Sequence, residues 1–281
     1  MKKFVLIVNA LKDRDLKETR SLCSYIKTRG GSCQYLISVD EQEGIRKLQA
    51  KDIPKGTECM IVLGGDGTLI RAARDTVACE IPLIGVNMGT LGYLCELELD
   101  NLEEAVDLMM HDQYMLEQRM MICGQKETQA FHALNDIVIH RTGSLSLVSL
   151  TVYVNGQYLH TWNGDGIILS TPTGSTAYNM SAGGPIVDPK AQLLLLTPIN
   201  SHTLTQRSIV IDPNDEIVIE VENWRGKQTD IVEVSNDGDH GCWLCAGERI
   251  QIRKAQESTK ILKLSKASFL EILRKKMQTY C

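Results

Sequence analysis

Short apolar runs alternate with amphipathic stretches over about the first 112 residues. Apolar runs at positions 4–8, 35–37, 59–63 and 81–86 predict strands. Apolar residues at near-helical spacing predict helices between them, one ending at the pair Gly30 and Gly31 and carrying Leu16, Cys23 and Ile26, and a later one carrying Leu102, Ala105, Val106 and Met109. Because strand and helix alternate, we expect a parallel sheet with helices on its faces.

After about residue 116 the apolar period changes to two. The run 148–154 alternates apolar and polar residues and stops at Asn155 and Gly156, a strong hairpin signal. The run 217–221 alternates in the same way, and after a turn around 223–227 a partner run is expected at 231–234. The second unit is therefore predicted to be mostly antiparallel β.

The C-terminal tail departs from this pattern. Positions 261–264 are strand-like, and Ser268 with Glu271 forms a capping box that opens a helix. The apolar side of this helix carries Phe269, Ile272, Leu273 and Met277. A lone helix needs a packing partner, so we expect it to return to the α/β unit. The predicted domains are an α/β domain at 1–115, a β-rich domain at 116–260, and a C-terminal segment at 261–281 that packs on the first domain.

Composition narrows the class of protein. The chain has 281 residues, 43% of them hydrophobic, with a net charge of −5 and a pI near 5.7, which is typical of a globular protein and disfavours nucleic acid as the main partner. No apolar stretch reaches the roughly 18 residues that a membrane helix needs. Nine scattered cysteines indicate reduced thiols in the cytoplasm, and the close pair Cys242 and Cys245 lacks the second pair that a zinc site requires.

The first segment whose residues could take part in binding or catalysis is the turn that follows the strand at 59–63. Its glycines allow close backbone approach and positive φ, and a helix starting near Thr68 offers free N–H donors, so the turn could hold phosphate. A carboxylate repels phosphate, so Asp66 suggests proton removal or help in holding Mg²⁺. The alternative is a tight turn in which Asp66 only caps the helix. P-loop and dinucleotide-fingerprint motifs are absent.

The second segment, 163–185, combines glycines, hydroxyl side chains and the aromatic Tyr178. Such a neutral donor and acceptor surface could bind a ribose and a base, although a solvated Ser/Thr loop between strands is the alternative. A third segment, Asn135 and Asp136 before an apolar run, could chelate two ribose hydroxyls or form a plain Asx turn.

Together these segments resemble the NAD kinase family. The resemblance rests on the Gly-Gly-Asp-Gly-Thr turn at 64–68, on 87–93, on Asn135 and Asp136, on 164–166, and on the run 171–185. The last run is specific to the family, whereas the first turn also resembles those of diacylglycerol and sphingosine kinases and, in part, phosphofructokinases. The family usually has Glu where this chain has Asp136, which shortens the reach of that carboxylate by one methylene.

The resemblance implies transfer of the ATP γ-phosphoryl group to the adenosine 2′-hydroxyl of NAD, with Asp66 as general base and a divalent cation (Mg²⁺) accompanying ATP. It also implies a homodimer or homotetramer, no tightly bound organic cofactor, and no nucleic-acid or membrane partner. The residues implied for the NAD site are Asp66, Gly67, Asn135, Asp136, Asn163, Asp165, Thr176, Ala177, Tyr178, Asn179, Met180 and Ser181. Those implied for phosphate are Gly64, Gly65, Gly67, Thr68 and Arg71.

Two other functions stay open from the residues alone. A lipid kinase of the diacylglycerol or sphingosine type would need an apolar slot, whereas 170–181 is polar. A dinucleotide-binding sensor without turnover would have little use for Asp66. The sequence leaves undecided whether polyphosphate replaces ATP, whether NADH is accepted and whether NADP inhibits.

Overall fold

The structure is a computed structural model that describes residues 1–42, 44–89, 92–143, 147–201, 207–222 and 231–279. The chain forms two compact units. The first unit comprises Met1–Gln118 with Glu257–Cys281, and the second comprises Arg119–Gln256. The functional domain boundaries given above stay a prediction.

The first unit is built on a parallel sheet flanked by helices. Its elements up to the second unit are β1 (Lys3–Asn9), α1 (Lys17–Thr28), β2 (Ser32–Asp40), β3 (Gly44–Ile45), β4 (Cys59–Gly64), α2 (Asp66–Asp75), β5 (Leu83–Asn87), β6 (Leu97–Glu98) and α3 (Leu102–Met110). The sheet has the order β5-β4-β1-β2-β3, and only the short β3 is antiparallel to its neighbour. Its strands are buried on both faces, which explains their continuous apolar runs.

The strand pairs of the second unit whose direction is described are antiparallel. Its elements are β7 (Met115–Lys126), β8 (Gln129–Ala133), β9 (Asp136–Arg141), β10 (Val148–Val154), β11 (Gln157–Gly164), β12 (Gly166–Ser170), α4 (Tyr178–Ser181), β13 (Leu194–Ile199), β14 (Ile209–Ile211), β15 (Ile217–Val221), β16 (Ile231–Asn236) and β17 (Asp239–Cys245). The last elements of the chain are β18 (Arg249–Lys263) and α5 (Phe269–Thr279). These observations confirm the predicted fold class of an α/β unit followed by a β-rich unit.

Two sheets of the second unit share one core. One sheet has the order β11-β10-β15-β18, and the other has the order β14-β13-β12-β9-β16-β17. Leu150 and Val152 from the first of these sheets lie in the same buried cluster as Ile167 and Leu169 from the second. Alternate residues of each strand therefore face this shared core, which produces the period of two seen in the sequence.

The prediction that the runs 217–221 and 231–234 form a hairpin is wrong. β15 pairs with β10 and β18, whereas β16 pairs with β9 and β17 in the other sheet. Both hydrogen-bonding edges of β15 are thus taken by other strands, so β16 cannot join it. The turn expected at 223–227 lies outside the described residues. The hairpin predicted at Asn155 and Gly156 is confirmed, and both residues have the positive φ that its tight turn requires.

The C-terminal helix belongs to the first unit, as predicted. The capping box is present, because the N–H of Ser268 donates to the Glu271 carboxylate and the N–H of Glu271 donates to Ser268 Oγ. Lys276 is buried, with its ammonium 4.3 Å above the ring of Tyr93. The expectation that Met277 packs inward is wrong, since 61% of it is exposed. Among the described residues, no helix combines the length and the apolar character needed to cross a membrane.

Candidate active site

The glycine-rich turn lies where β4 ends and α2 begins. The helix starts at Asp66, two residues before the position expected from the sequence. The positive φ that these glycines would allow does not occur here, because Gly65 is fully extended (φ −179°) and neither Gly64 nor Gly67 is in the left-handed region. The first turn of α2 nevertheless presents the unpaired N–H groups and positive dipole end that favour an anion.

These glycines have two other effects: Gly64 allows close packing against α2, and Gly67 leaves open space beside the turn. A Cβ on Gly64 would lie 2.5 Å from Thr68 Oγ1, so a side chain there would collide with the first turn of α2. At Gly67 a Cβ would meet nothing within 4 Å. Arg71 lies one turn after Gly67, at the spacing that places both on one face of the helix. These observations leave room for a ligand beside Gly67.

The Asp66 carboxylate is held by the backbone of a neighbouring loop. Its Oδ2 accepts the N–H of Tyr93 at 2.5 Å, and its Oδ1 accepts the N–H of Cys95 at 3.0 Å. The N–H of Leu94 lies 3.2 and 3.3 Å from the two oxygens. A Cβ on Gly92 would lie 1.8 Å from Asp66 Oδ1, so only glycine permits this approach. Asp66 therefore organises the 92–95 loop, a role that the sequence reasoning missed.

A lysine beside the glycine turn was also missed. The ammonium of Lys12, in the loop after β1, donates to the carbonyl of Gly64 at 3.3 Å. A Cβ on Gly65 would lie 2.9 Å from Lys12 Nζ, and one on Gly89 would lie 3.2 Å from it. Lys12 thus places a positive charge against the turn where phosphate was expected. The sequence carries no signal for it, because 52 residues separate Lys12 from Gly64.

In the second unit, five of the residues predicted for the NAD site line one cavity of about 780 Å³. They are Asn135, Asp136, Asp165, Ala177 and Tyr178. The cavity is also lined by charged and polar side chains that were not predicted, including His140, Arg141, Asn200, Glu233 and Asp237. Tyr178 is 45% exposed, which leaves its ring available to a ligand.

Asp237 fixes the backbone of the Asn135 and Asp136 pair. Its carboxylate accepts the N–H groups of Leu134 at 2.8 Å, Asn135 at 2.7 Å and Asp136 at 3.3 Å. In return, the N–H of Asp237 donates to the carbonyl of Asp136 at 3.0 Å. Asp237 occupies the tight turn between β16 and β17, with φ 51°. An Asp-Gly pair signals such a turn in the sequence, but the partner of the carboxylate is about 100 residues away.

Two carboxylates therefore lie close together at this end of the cavity. Asp136 is 5% exposed. Burial, and secondarily the negative charge of Asp237, raises the pKa of Asp136 to about 7. Asp136 can consequently exchange a proton near neutral pH, whereas an ordinary aspartate is ionised there.

Asp165 is bound on both carboxylate oxygens. Arg141 Nε donates to Oδ1 at 2.7 Å, and Asn200 Nδ2 donates to Oδ2 at 2.8 Å. The backbone N–H of Arg141 also donates to the carbonyl of Asp165 at 2.9 Å. These contacts hold the Asp165 carboxylate in one orientation at the cavity wall.

Much of the hydroxyl-rich segment supports its own loop. Thr171 Oγ1 donates to the carbonyl of Leu134 at 2.6 Å, and Ser175 Oγ accepts the N–H of Val187 at 3.0 Å. Gly174 approaches Asn135 so closely that a Cβ would lie 2.2 Å from its carbonyl oxygen. The segment thus packs directly on Asn135, and part of the expected ligand wall is scaffold.

Asn179 is fully buried, and its side chain is engaged by the protein. Its Nδ2 donates to the carbonyls of Ser175 and Pro185, both at 3.1 Å, and its Oδ1 accepts the hydroxyl of Thr197 at 2.7 Å. Its predicted contact with NAD stays a prediction.

The other residues predicted for NAD lie around the same segment. Thr176 is half-buried at the end of a short 3₁₀ turn, and Met180 and Ser181 are exposed on α4. The buried Oδ1 of Asn163 on β11 has no hydrogen-bond partner among the residues that the structure describes. Within the part of the chain that is described, no group of three or more His, Cys, Asp or Glu side chains is arranged to hold a metal ion.

Family models match most of the chain. A model described as the ATP-NAD kinase N-terminal domain matches residues 4–114, and one described as the ATP-NAD kinase C-terminal domain matches residues 134–264. The NAD kinase of Agathobacter rectalis is 53% identical over the whole of both chains. The NAD kinase of Lachnospira eligens is 41% identical over 99% of this chain and all of the relative.

Two solved structures share the fold. Yeast NADH kinase complexed with NADH superposes with a TM-score of 0.85 and 22% identity, over 99% of this chain and 88% of that one. An NAD kinase from Archaeoglobus fulgidus in complex with ATP superposes with a TM-score of 0.79 and 20% identity, over 98% of this chain and 99% of that one.

Proposed function

The chain belongs to the NAD kinase family, and we propose that it transfers the γ-phosphoryl group of ATP to the adenosine 2′-hydroxyl of NAD with Asp66 as proton acceptor. As a member of this family it is an enzyme that phosphorylates NAD. The two alternatives weighed from the sequence, a lipid kinase and a sensor without turnover, find no support among its relatives.

The observation that carries the binding part of the proposal is the polar cavity of the second unit. Asn135 and Asp136 enter it with their backbone fixed by Asp237, and Asp165 is oriented by Arg141 and Asn200. Carboxylate and amide oxygens accept hydrogen bonds from sugar hydroxyls, while Tyr178 offers a ring face to a base or to nicotinamide.

The first unit would bind the phosphates of ATP. The N-terminal turn of α2 supplies backbone N–H groups, Gly67 leaves space, and Lys12 and Arg71 add positive charge. Phosphoryl transfer requires such charge to stabilise the oxygens of the transferred group. A divalent cation is proposed to arrive with ATP as part of the substrate, because Mg²⁺ in such enzymes is held largely by substrate phosphates.

Asp66 is the carboxylate at this turn, and its contacts set a condition on its role. Each of its oxygens lies within hydrogen-bond distance of two backbone N–H groups of the 92–95 loop. Among the described residues only three N–H groups share the two oxygens, whereas an ionised carboxylate offers about four acceptor positions, so one position is left for a ribose hydroxyl. The proposal is that Asp66 accepts the proton at this position.

We also propose that the enzyme works in the cytoplasm as a homodimer or homotetramer, without a tightly bound organic cofactor. The decisive experiment incubates the purified chain with Mg-ATP and NAD and follows NADP with an NADP-specific dehydrogenase. Parallel reactions replace NAD by NADH, diacylglycerol or sphingosine, and ATP by polyphosphate. NADP formation that requires both ATP and Mg²⁺ supports the proposal, whereas phosphorylation of a lipid but not of NAD contradicts it.

A further inference from the structure

Two cysteine thiols of the first unit face each other in the interior. Cys23 lies on α1 and Cys33 lies near the start of β2, and their sulfur atoms are 2.8 Å apart. Both residues are buried, Cys23 with 8% and Cys33 with 5% of its surface exposed. A disulfide bond is about 2.05 Å long, so the two sulfur atoms need to move only a short distance toward each other to form one.

The chain between them explains why they meet. Helix α1 ends at Thr28, and the left-handed Gly30 (φ 81°) lets the chain turn back at once. The N–H of Gly31 donates to the carbonyl of Ile26 at 2.9 Å, and a Cβ on Gly31 would lie 2.8 Å from Ile26 Cγ2. This tight return fixes the start of β2 against the last turns of α1, opposite Cys23.

The two sulfurs are chemically unequal. The hydrogen bond between the two sulfurs, in which either can be the donor, lowers the pKa of Cys23 against the opposing effect of burial, and the positive charge of Lys27, one helical turn later, lowers it further. The same hydrogen bond and burial raise the pKa of Cys33. Complete burial raises the pKa of Cys59 to about 12. Since the thiolate is the reactive form, Cys23 is the better nucleophile of the pair.

We propose that Cys23 and Cys33 form a redox-active dithiol that a peroxide converts into an intramolecular disulfide. The Cys23 thiol loses its proton, its thiolate attacks one oxygen of hydrogen peroxide, and the O–O bond breaks. The leaving hydroxide takes up that proton, so the products are a Cys23 sulfenic acid and water. Cys33 sulfur then attacks the sulfenic sulfur, the S–O bond breaks, and the thiol proton leaves with the hydroxyl as a second water. Two thiols are oxidised and one peroxide is reduced. In a reducing cytoplasm the pair stays a dithiol, and added thiol restores it after oxidation.

Peptide mapping tests the site on the unaltered chain. The reduced protein is treated with hydrogen peroxide under native conditions, blocked with N-ethylmaleimide and digested with trypsin without reductant. Cleavage after lysine and arginine places Cys23 in peptide 21–27 and Cys33 in peptide 30–46. We expect these two peptides to appear linked, with the mass of their sum less two hydrogens, and to separate again after dithiothreitol. Recovery of both peptides as maleimide adducts after oxidation, or a link from either to a different cysteine, overturns the proposal.

Two variants test the order of the steps, with a third as control. In Cys33→Ser the Cys23 sulfenic acid has no partner, so dimedone should label peptide 21–27. In Cys23→Ser no label is expected on peptide 30–46. Cys245→Ser removes an exposed thiol and should leave the 21–27 to 30–46 link unchanged. Dimedone labelling of Cys33 rather than Cys23 would refute the assigned roles, and mapping of the unaltered chain remains decisive if a variant fails to fold.

Discussion

The carboxylate of Asp66 accepts the backbone N–H of Cys95 at 3.0 Å, 29 residues further along the chain. This contact, with those from Tyr93 and Leu94, makes the proposed proton acceptor also the support of a loop. Asparagine can replace only one of the two acceptor oxygens, and its amide N–H₂ would face backbone donors. Substitution of Asp66 therefore affects both proton transfer and the structure of the loop. A second variant is needed to separate the two effects.

Asp66→Asn is expected to lower kcat by roughly 10²- to 10⁴-fold, the range for loss of a general base. NAD binding should persist, because the cavity residues of the second unit are unchanged. The coupled NADP assay measures the first quantity and calorimetry with NAD measures the second. Normal turnover in this variant would remove Asp66 from the proton-transfer step.

Gly92→Ala is the control for the loop effect. Its new Cβ cannot coexist with the present position of Asp66 Oδ1, so the loop has to move while the carboxylate is retained. We expect a smaller loss of kcat than in Asp66→Asn. If the two variants lose kcat equally, Asp66 acts only by organising the loop.

Lys12→Met should raise the KM for ATP by roughly 10- to 150-fold, since one hydrogen bond to a charged group contributes about 1.5–3 kcal/mol. The KM for NAD should change much less. Lys17→Met is the matched control, because Lys17 is a strongly exposed lysine on α1. Equal effects of the two variants on ATP would argue against a phosphate contact at Lys12.

Asp237→Asn should raise the KM for NAD about tenfold, because it weakens the hydrogen bonds that fix Asn135 and Asp136 and each bond to a charged group is worth about 1.5–3 kcal/mol. Asp239→Asn removes a charge from the same hairpin and serves as control. The steady-state KM for ATP should stay nearly constant in both. An unchanged KM for NAD in Asp237→Asn would show that the backbone of Asn135 and Asp136 holds its position without this carboxylate.

Asp136 should make stability depend on pH. Its pKa of about 7 in the folded chain lies above the ordinary value of 3.8, so the folded state holds the proton more tightly. This contribution is fully present below about pH 4 and is lost as the pH rises through 7. An asparagine at this position has no such proton to lose, so the free energy of unfolding of Asp136→Asn should gain on that of the unaltered chain as the pH rises from about 4 to above 7. The gain should be on the order of 4 kcal/mol, at 1.36 kcal/mol per pH unit. Urea unfolding at pH 4 to 9 measures it, and a pH-independent difference would contradict the prediction.

Tyr178→Ala should raise the KM for NAD strongly and the KM for ATP little, because the half-exposed ring lines the cavity and has no role in proton transfer. Tyr178→Phe keeps the ring and should retain most of the affinity. Equal weakening of both substrates in the alanine variant would mean that this loop does not belong to the NAD site.

The sequence by itself determined the elements whose signals are local. The buried runs of β1 and β4, the Asn155 and Gly156 turn and the Ser268 and Glu271 capping box all depend on neighbours within a few residues, and each was predicted. The segments expected to bind NAD and phosphate were likewise recognisable, because glycines, hydroxyls and carboxylates occur there in short ordered strings.

The tertiary structure alone decided what those strings contact. The placement of β16 in the second sheet, rather than beside β15, follows from long-range strand pairing that no local period encodes. The contacts of Asp66 with the 92–95 loop, of Lys12 with Gly64, of Asp237 with Asn135 and of Cys23 with Cys33 join residues that lie from ten to about 100 positions apart. Hydrogen-bond partners and burial arise only when the chain is folded, and they determine which carboxylate is bound, which is protonated and which thiol is reactive.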